Sequence, residues 1–285
     1  MSQAFRPYTL QLRSQKLSID KPLIMGIVNA TPDSFYACSR TFNEDALQAR
    51  VERLVSEGVD VIDVGACSTR PGTESVSPDE ECKRLERAMA VVKRVAPQMV
   101  VSVDTFRADV AKVAVMQLGA DIVNDVSGGT LDTDMFATVA DLKVPYVLMH
   151  MRGTPATMQQ HCDYPDGVLK SVIADLRQKL LQLRGFGVND VIVDPGFGFA
   201  KTLEQNYQLL AHLSEFHVLD APLLVGLSRK SMIGKALGVA PEEALNGTTV
   251  LNTIALLAGA HFLRVHDVKA AVEARKLVSL TINNE

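Results

Sequence analysis

Eight short apolar runs, each followed by a longer stretch of helical spacing, restrict the folds open to this chain more than any other feature. They read LIMGIVNA at 23–30, VDVIDVGA at 59–66, MVVSVDT at 99–105, ADIVNDVS at 120–127, VPYVLMHM at 144–151, DVIVDPG at 190–196, APLLVGLS at 221–228 and HFLRVHD at 261–267. Each is rich in Val, Ile or Leu with little polar alternation in its first half, as in parallel strands buried on both faces. Between them, Asn43 precedes EDALQARVERLVSEG, Ser77-Pro78-Asp79-Glu80 offers a capping box with Pro at the first helical position, and Thr202-Leu203-Glu204-Gln205 offers another. Gly58, Gly119 and Gly259 stand where such helices stop. The 285 residues give eight units of about 36, a natural size for a βα repeat. The pattern predicts an α/β fold: one domain, a single (β/α)8 TIM barrel over about 22–282, with a short N-terminal hairpin closing its floor.

Composition narrows the function classes. With 47% hydrophobic residues and a formal charge of −4, the chain is neither disordered nor equipped with a basic surface for nucleic acid or an anionic membrane. Cys38, Cys67, Cys82 and Cys162 form no CxxC pair and have no His at zinc-finger spacing, which argues against a structural zinc or a disulfide framework. The first 20 residues mix Arg6, Arg13 and Lys16 with polar residues, and no segment has the roughly 20 apolar residues of a membrane span. A cytoplasmic protein is expected.

In such barrels the chemistry sits at the C-terminal ends of the strands. The first run leads into Asn29, the second into Asp63 and Ser68-Thr69-Arg70-Pro71-Gly72, the third into Asp104, and the fourth into Asn124 and Asp125. The fifth ends at His150 and Arg152, the sixth at Asp194, the seventh at Ser228-Arg229-Lys230-Ser231, and the eighth at Arg264 and His266. Carboxylates, amides and cations converging on one rim suit a ligand with a hydrogen-bonding ring and an anionic tail. Plainer roles stand beside these. Asp104 could cap the next helix, although its apolar strand favours a functional role; for Asp267 the cap is favoured. Asp194 before Pro195-Gly196 could shape a turn, and Asn124 could satisfy loop backbone. Asp63 and Asp125 read better as structural partners of cations and amides. Arg229, Lys230, Arg264 and His266 on two adjacent strand ends favour an anion site over a solvated loop. His150, between two methionines, fits a satisfied core histidine at least as well as a catalytic one.

Eight blocks, in order along nearly the whole chain, resemble the dihydropteroate synthase family: MGIVNATPDSF at 25–35, DVGACSTRPG at 63–72, SVDTFRADVA at 102–111, IVNDVSGG at 122–129, VLMHMRGTPATMQ at 147–159, DPGFGFAKT at 194–202, GLSRKSMIG at 226–234 and RVHD at 264–267. The resemblance implies a transferase of folate biosynthesis that condenses 6-hydroxymethyl-7,8-dihydropterin pyrophosphate with p-aminobenzoate, releasing pyrophosphate. It places Asp104, Asn124, Asp194 and Lys230 on the pterin edge and Met149 and Phe199 on its faces, with Val265 and Thr69 also in contact. Pyrophosphate falls to Arg264 and His266, with Mg2+ held through Asn29. The catalytic set is then Asp104, Asp194, Lys230, Arg264 and His266. Phe35, Thr69, Arg70, Pro71 and Ser231 form the arylamine pocket once loops 31–42 and 67–77 close. A homodimer and a sulfonamide target are further implications. Tyr36, Ala37, Cys38 and Ser39 stand where the family usually has a small residue, an Asp and two glycines, so an acidic contact in the first loop is absent unless Asp33 or a neighbour supplies it. The second loop has Ala66 and Cys67 where Glu-Ser is common. A non-catalytic pterin-binding paralogue and a pterin-dependent methyltransferase barrel are the alternatives, the latter with no need for STRPG or SRKS.

Overall fold

The computed structural model describes residues 5–30, 44–67 and 76–282. A hairpin of β1 (Tyr8–Gln11) and β2 (Lys16–Ile19), antiparallel with Tyr8 opposite Ile19, precedes the main sheet. The eight apolar runs become eight parallel strands: β3 (Leu23–Asn29), β4 (Val61–Gly65), β5 (Val100–Asp104), β6 (Ile122–Asp125), β7 (Tyr146–Met149), β8 (Val191–Asp194), β9 (Leu224–Val225) and β10 (Phe262–Val265). Their hydrogen-bonded order is β8-β7-β6-β5-β4-β3-β10-β9, and a parallel bridge between Val193 and Leu223 brings the two ends of the sheet together. The fold is a (β/α)8 barrel with an N-terminal hairpin.

β9 is shorter than its run, and before it Pro222, with no N–H to donate, contributes only its carbonyl, which accepts from Val193 N at 2.9 Å. Alternate residues divide between two cores. One set, including Ile24, Val28, Ile62, Val64, Val101, Val103, Val123, Leu148, Val193, Leu263 and Val265, packs outward against the helices. The other, Leu23, Met25, Val61, Val100, Ile122, Val147, Ile192, Leu224 and Phe262, fills the lower barrel, where Leu10, Leu12 and Ile19 of the hairpin close it.

The helices are α1 (Glu44–Ser56), α2 (Pro78–Val95), α3 (Ala108–Met116), α4 (Met135–Leu142), α5 (Val168–Gly185), α6 (Leu203–Ala211), α7 (Ser231–Leu237), α8 (Leu245–Leu257) and α9 (Val268–Ile282). Two of them, α7 and α8, follow β9. Thr202 and Gln205 form the reciprocal capping box of α6. At α2 only half the expected box forms. Ser77 accepts from Glu80 N, but the Glu80 carboxylate takes Arg84 one turn on at 2.8 Å instead of turning back. Asn43 lies outside the described residues.

Candidate active site

Inward-facing positions on a barrel strand recur every second residue, so the residue two beyond each lower apolar side chain lies one storey higher. Val61 is thus followed by Asp63, Val100 by Ser102 and Asp104, Ile122 by Asn124, Val147 by Met149, Ile192 by Asp194, and Phe262 by Arg264. Period-two strands carry the core below and polar groups above, at the C-terminal ends of the strands.

Arg264 organises this upper storey. Its Nε donates to Asp63 Oδ2 at 2.7 Å and its Nη2 to Asp104 Oδ2 at 2.6 Å, while Asn124 Nδ2 reaches the Asp63 oxygens at 3.2 and 3.3 Å. Asp104 and Asn124 are directly opposite in the β5–β6 register. Asp104 therefore does not cap α3, whose cap position is Arg107. Burial pushes the Asp104 carboxyl up to about 7 against the opposing pull of Arg264. Asp63 and Asp104 outweigh burial on the guanidinium and hold its pKa above the ordinary arginine value. Asp125 turns to Ser127 N, Gly129 N and the Tyr146 hydroxyl at 2.7, 2.8 and 2.6 Å, a structural role.

Asp194 Oδ1 accepts from Gly196 N at 2.7 Å, which shapes the turn after β8; Oδ2 has no hydrogen-bond partner among the described residues. The turn and binding roles of Asp194 are therefore compatible. Gly196 has φ +70°, and a Cβ there would lie 2.0 Å from the carbonyl oxygen of His150, so only glycine allows this approach. Lys230 crosses from the loop after β9 to donate to the Phe197 carbonyl, its Nζ 4.9 Å from the centre of the Phe199 ring. Burial lowers its pKa to about 8, opposed by Asp194. Met149 and Phe199 lie in one apolar cluster with Val126, Met151, Met158 and Ala200. The site is a polar ring edge with an apolar flank: acceptors from Asp104, Asn124 and Asp194, a cation from Lys230, and Met149 and Phe199 at the side.

That pattern coincides with the likeness to known proteins. The model of the family described as pterin binding enzyme matches residues 25–266. The dihydropteroate synthase of Escherichia coli strain K12 is 40% identical, over 96% of this chain and 97% of its own. The chain belongs to the dihydropteroate synthase family. Among solved structures, the Yersinia pestis dihydropteroate synthase in complex with a sulfonamide drug superposes with a TM-score of 0.88 at 38% identity, covering 98% of this chain and 100% of that one. The Xanthomonas albilineans dihydropteroate synthase in complex with 7,8-dihydropteroate has a TM-score of 0.84 at 35% identity, over 96% and 99%.

In this member of the family the anion end is less open than the four cations suggest. Arg229 pairs with Asp267 at 2.8 and 3.0 Å and donates to the Pro241 and Glu242 carbonyls, so it is committed to structure. The Asp267 carboxylate is correspondingly an ion-pair partner rather than the helix cap expected. Burial and Arg264 lower His266 to about 4, leaving a neutral ring whose Nδ1 lies 3.0 Å from Ser228 Oγ. Val265 is fully buried in the outer core, on the opposite face of β10 from Arg264, so its side chain packs against the helices. Ser231, the first residue of α7, is exposed. Phe35, Thr69, Arg70 and Pro71, and with them most of both expected loops, lie outside the described residues.

Three contributors were not legible in the sequence of this family member. Lys201, 3% exposed, donates from Nζ to His150 Nδ1, the Gly196 carbonyl and the Phe199 carbonyl at 3.0, 2.9 and 2.9 Å. Arg50 of α1 joins the Ile27 and His266 carbonyls at 3.0 and 2.7 Å, tying β3 to the end of β10. Glu81 of α2 accepts from Thr105 Oγ1 and pairs with Arg107, which also holds the Val76 carbonyl at 2.7 Å. Each has a partner distant in sequence; the alternation of helical charge that exposes surface pairs gives no sign of them. Cys67 is no activated nucleophile, since burial raises its thiol pKa.

Proposed function

We propose that this member of the family joins 6-hydroxymethyl-7,8-dihydropterin pyrophosphate to p-aminobenzoate, giving 7,8-dihydropteroate and pyrophosphate. One observation carries the reading: a storey of Asp104, Asn124 and Asp194 inside an otherwise apolar barrel, with Lys230 reaching over it and Met149 and Phe199 beside it. A pterin presents a row of N–H donors next to a ring carbonyl, so it matches carboxylate and amide acceptors with one cation on its acceptor side. The titrating carboxyl of Asp104 and the open oxygen of Asp194 receive the donors.

The arylamine lone pair is free at neutral pH, so no strong general base is needed. The C–O bond to pyrophosphate breaks first, the electron pair leaving on oxygen and the positive charge spreading into the pterin. The amine nitrogen then forms the C–N bond and gives its proton to water. Asp104 and Asp194, aimed at the ring, favour the cationic form, while Arg264 and the neutral His266 ring lie at the departing charge. No covalent enzyme intermediate is involved.

Among the described residues no three His, Cys, Asp or Glu gather as a metal cage. Asn29, half-buried at the top of β3, offers a hard carbonyl ligand, which suits Mg2+ brought largely by phosphate and water oxygens. When bound, Mg2+ would neutralise the leaving pyrophosphate. A phosphate ester of this charge does not cross a bilayer unaided, which supports work in the cytoplasm. A homodimer is supported by the apolar outer faces of α8 and α9, where Val250, Ile254, Leu257, Leu277 and Leu280 are exposed. The sulfonamide in the Yersinia complex supports competition of such compounds with p-aminobenzoate here.

The test is to supply Mg2+, the pterin pyrophosphate and p-aminobenzoate and to quantify dihydropteroate and pyrophosphate together. Equal formation of both is expected. Binding of the ester with neither product would overturn the synthase in favour of a non-catalytic pterin-binding protein.

A further inference from the structure

The loop after β8 has no regular structure to hold its shape. Gly196, Gly198 and Ala200 have φ of +70°, +81° and +50°, the last in a region that side chains rarely adopt. Its carbonyls are instead tied by side chains: Phe197 by Lys230, Gly198 by Gln159 at 3.2 Å and Ala200 by the Tyr164 hydroxyl at 2.8 Å, all from other loops, and both Gly196 and Phe199 by Lys201 at the loop's own end. Lys201 alone in that set spans two carbonyls, and they bracket the segment that carries Phe199.

An ammonium has three protons, and all three are used here. The third acceptor is His150 Nδ1, one residue beyond Met149. His150 is fully buried, its pKa is lowered to about 2 by burial and Lys201, and its Nε2 has no hydrogen-bond partner among the described residues. A neutral ring accepting at Nδ1 carries its proton on Nε2. The protein thus leaves a buried N–H unsatisfied while directing Nδ1 at Lys201, which a merely space-filling histidine would not require. Behind the site, burial lowers the Lys201 pKa to about 7 against the pull of the Asp194 carboxylate, and Lys201 in turn opposes the rise that burial imposes on Asp194.

We propose that Lys201, oriented by His150, is a positioning residue for pterin recognition: from behind the site it locks the 196–199 segment so that Phe199 and Asp194 keep the geometry the ring requires. The inference rests on the synthase reading above and adds to it a residue that touches no substrate. It locates the rigidity of the pterin site in a charge-assisted clamp joining the ends of β7 and β8, where Met149 and Asp194 are paired residues.

The chain contains no Trp, so the emission of a bound pterin can be read directly. Binding of the pterin pyrophosphate, KM for p-aminobenzoate at saturating ester, and Tm are measured for wild type, Lys201→Met, His150→Asn and His150→Leu. Lys201→Met is expected to weaken pterin binding about tenfold while KM for p-aminobenzoate stays within about twofold. Asn keeps an acceptor near the place of Nδ1, so His150→Asn stays within about threefold of wild type and His150→Leu follows Lys201→Met. The His150 pair carries the test if Lys201→Met does not fold. Unchanged pterin affinity in Lys201→Met, or in His150→Leu, with a lower Tm would reduce the clamp to a stabilising contact and overturn the inference alone. Failure of the wild type to bind the ester would remove the synthase reading and the inference together.

Discussion

At the scale of single residues, the upper barrel is a set of charges held near balance, and the effect of removing one depends on what it leaves behind. Asp194 and Lys230 each keep an atom for the ligand, so Asp194→Ala or Lys230→Ala should weaken pterin binding by about a hundredfold, near 3 kcal/mol for a charged hydrogen bond; near-native affinity in calorimetry would refute the pocket. Arg264 differs. Its sequence position suggests a variant that loses mainly pyrophosphate affinity, but its side chain joins Asp63 and Asp104. Arg264→Ala leaves two buried carboxylates without their cation and should lower unfolding free energy by about 3–5 kcal/mol in denaturant titration. Asp104 has its own pH signature. Its pKa is raised by burial from 3.8 to about 7, so between those values the native state keeps a proton that the unfolded chain releases, and stability falls as pH rises through the window. Asp104→Asn abolishes that dependence. The Tm difference between variant and wild type should shift in the variant's favour from about pH 4 to about pH 7; a constant difference would place Asp104 at its ordinary value.

Elements act by setting where strands stop and helices start. α6 begins directly after the loop that Lys201 holds, and Thr202 and Gln205 close its first turn reciprocally at 3.3 and 2.9 Å. Thr202→Ala should cost about 1 kcal/mol, measured by thermal unfolding, with pterin affinity retained because Lys201 holds its own carbonyls. The capping box at α6 was evident as Thr-Leu-Glu-Gln. At α2 the identical spacing produced half a box, since a nearby arginine competed for the glutamate. The seventh strand kept only Leu224–Val225 of its run.

For the whole molecule, the barrel leaves two unlike surfaces. Its strand ends carry the polar storey, whereas the outer faces of α8 and α9 expose Val250, Ile254, Leu257, Leu277 and Leu280, side chains that gain nothing from water. In the proposed dimer these faces pack on a second copy. Ile254→Glu together with Leu277→Glu should give monomers by light scattering while the barrel's circular dichroism is retained, because neither side chain belongs to the buried cores. A dimer unchanged in mass would place the interface elsewhere.

The barrel itself was readable from the chain because parallel strands covered on both sides must be apolar throughout, and helices must show their period and their stops. The same local logic marked Asp104, Asn124, Asp194, Lys230 and Arg264, since a charge at the end of an apolar strand needs a reason. Which groups those charges meet was decided only when the sheet closed. Arg264 lies 160 residues from Asp104, Arg229 lies 38 from Asp267, and Lys201 lies 51 from His150. Strand identity depends on neighbours along the chain, whereas an ion pair or a clamped loop depends on distances that the chain's period does not encode. Closure of the barrel brought those separations down to hydrogen-bond length, and with that it divided cations available to a ligand from cations already spent on the fold.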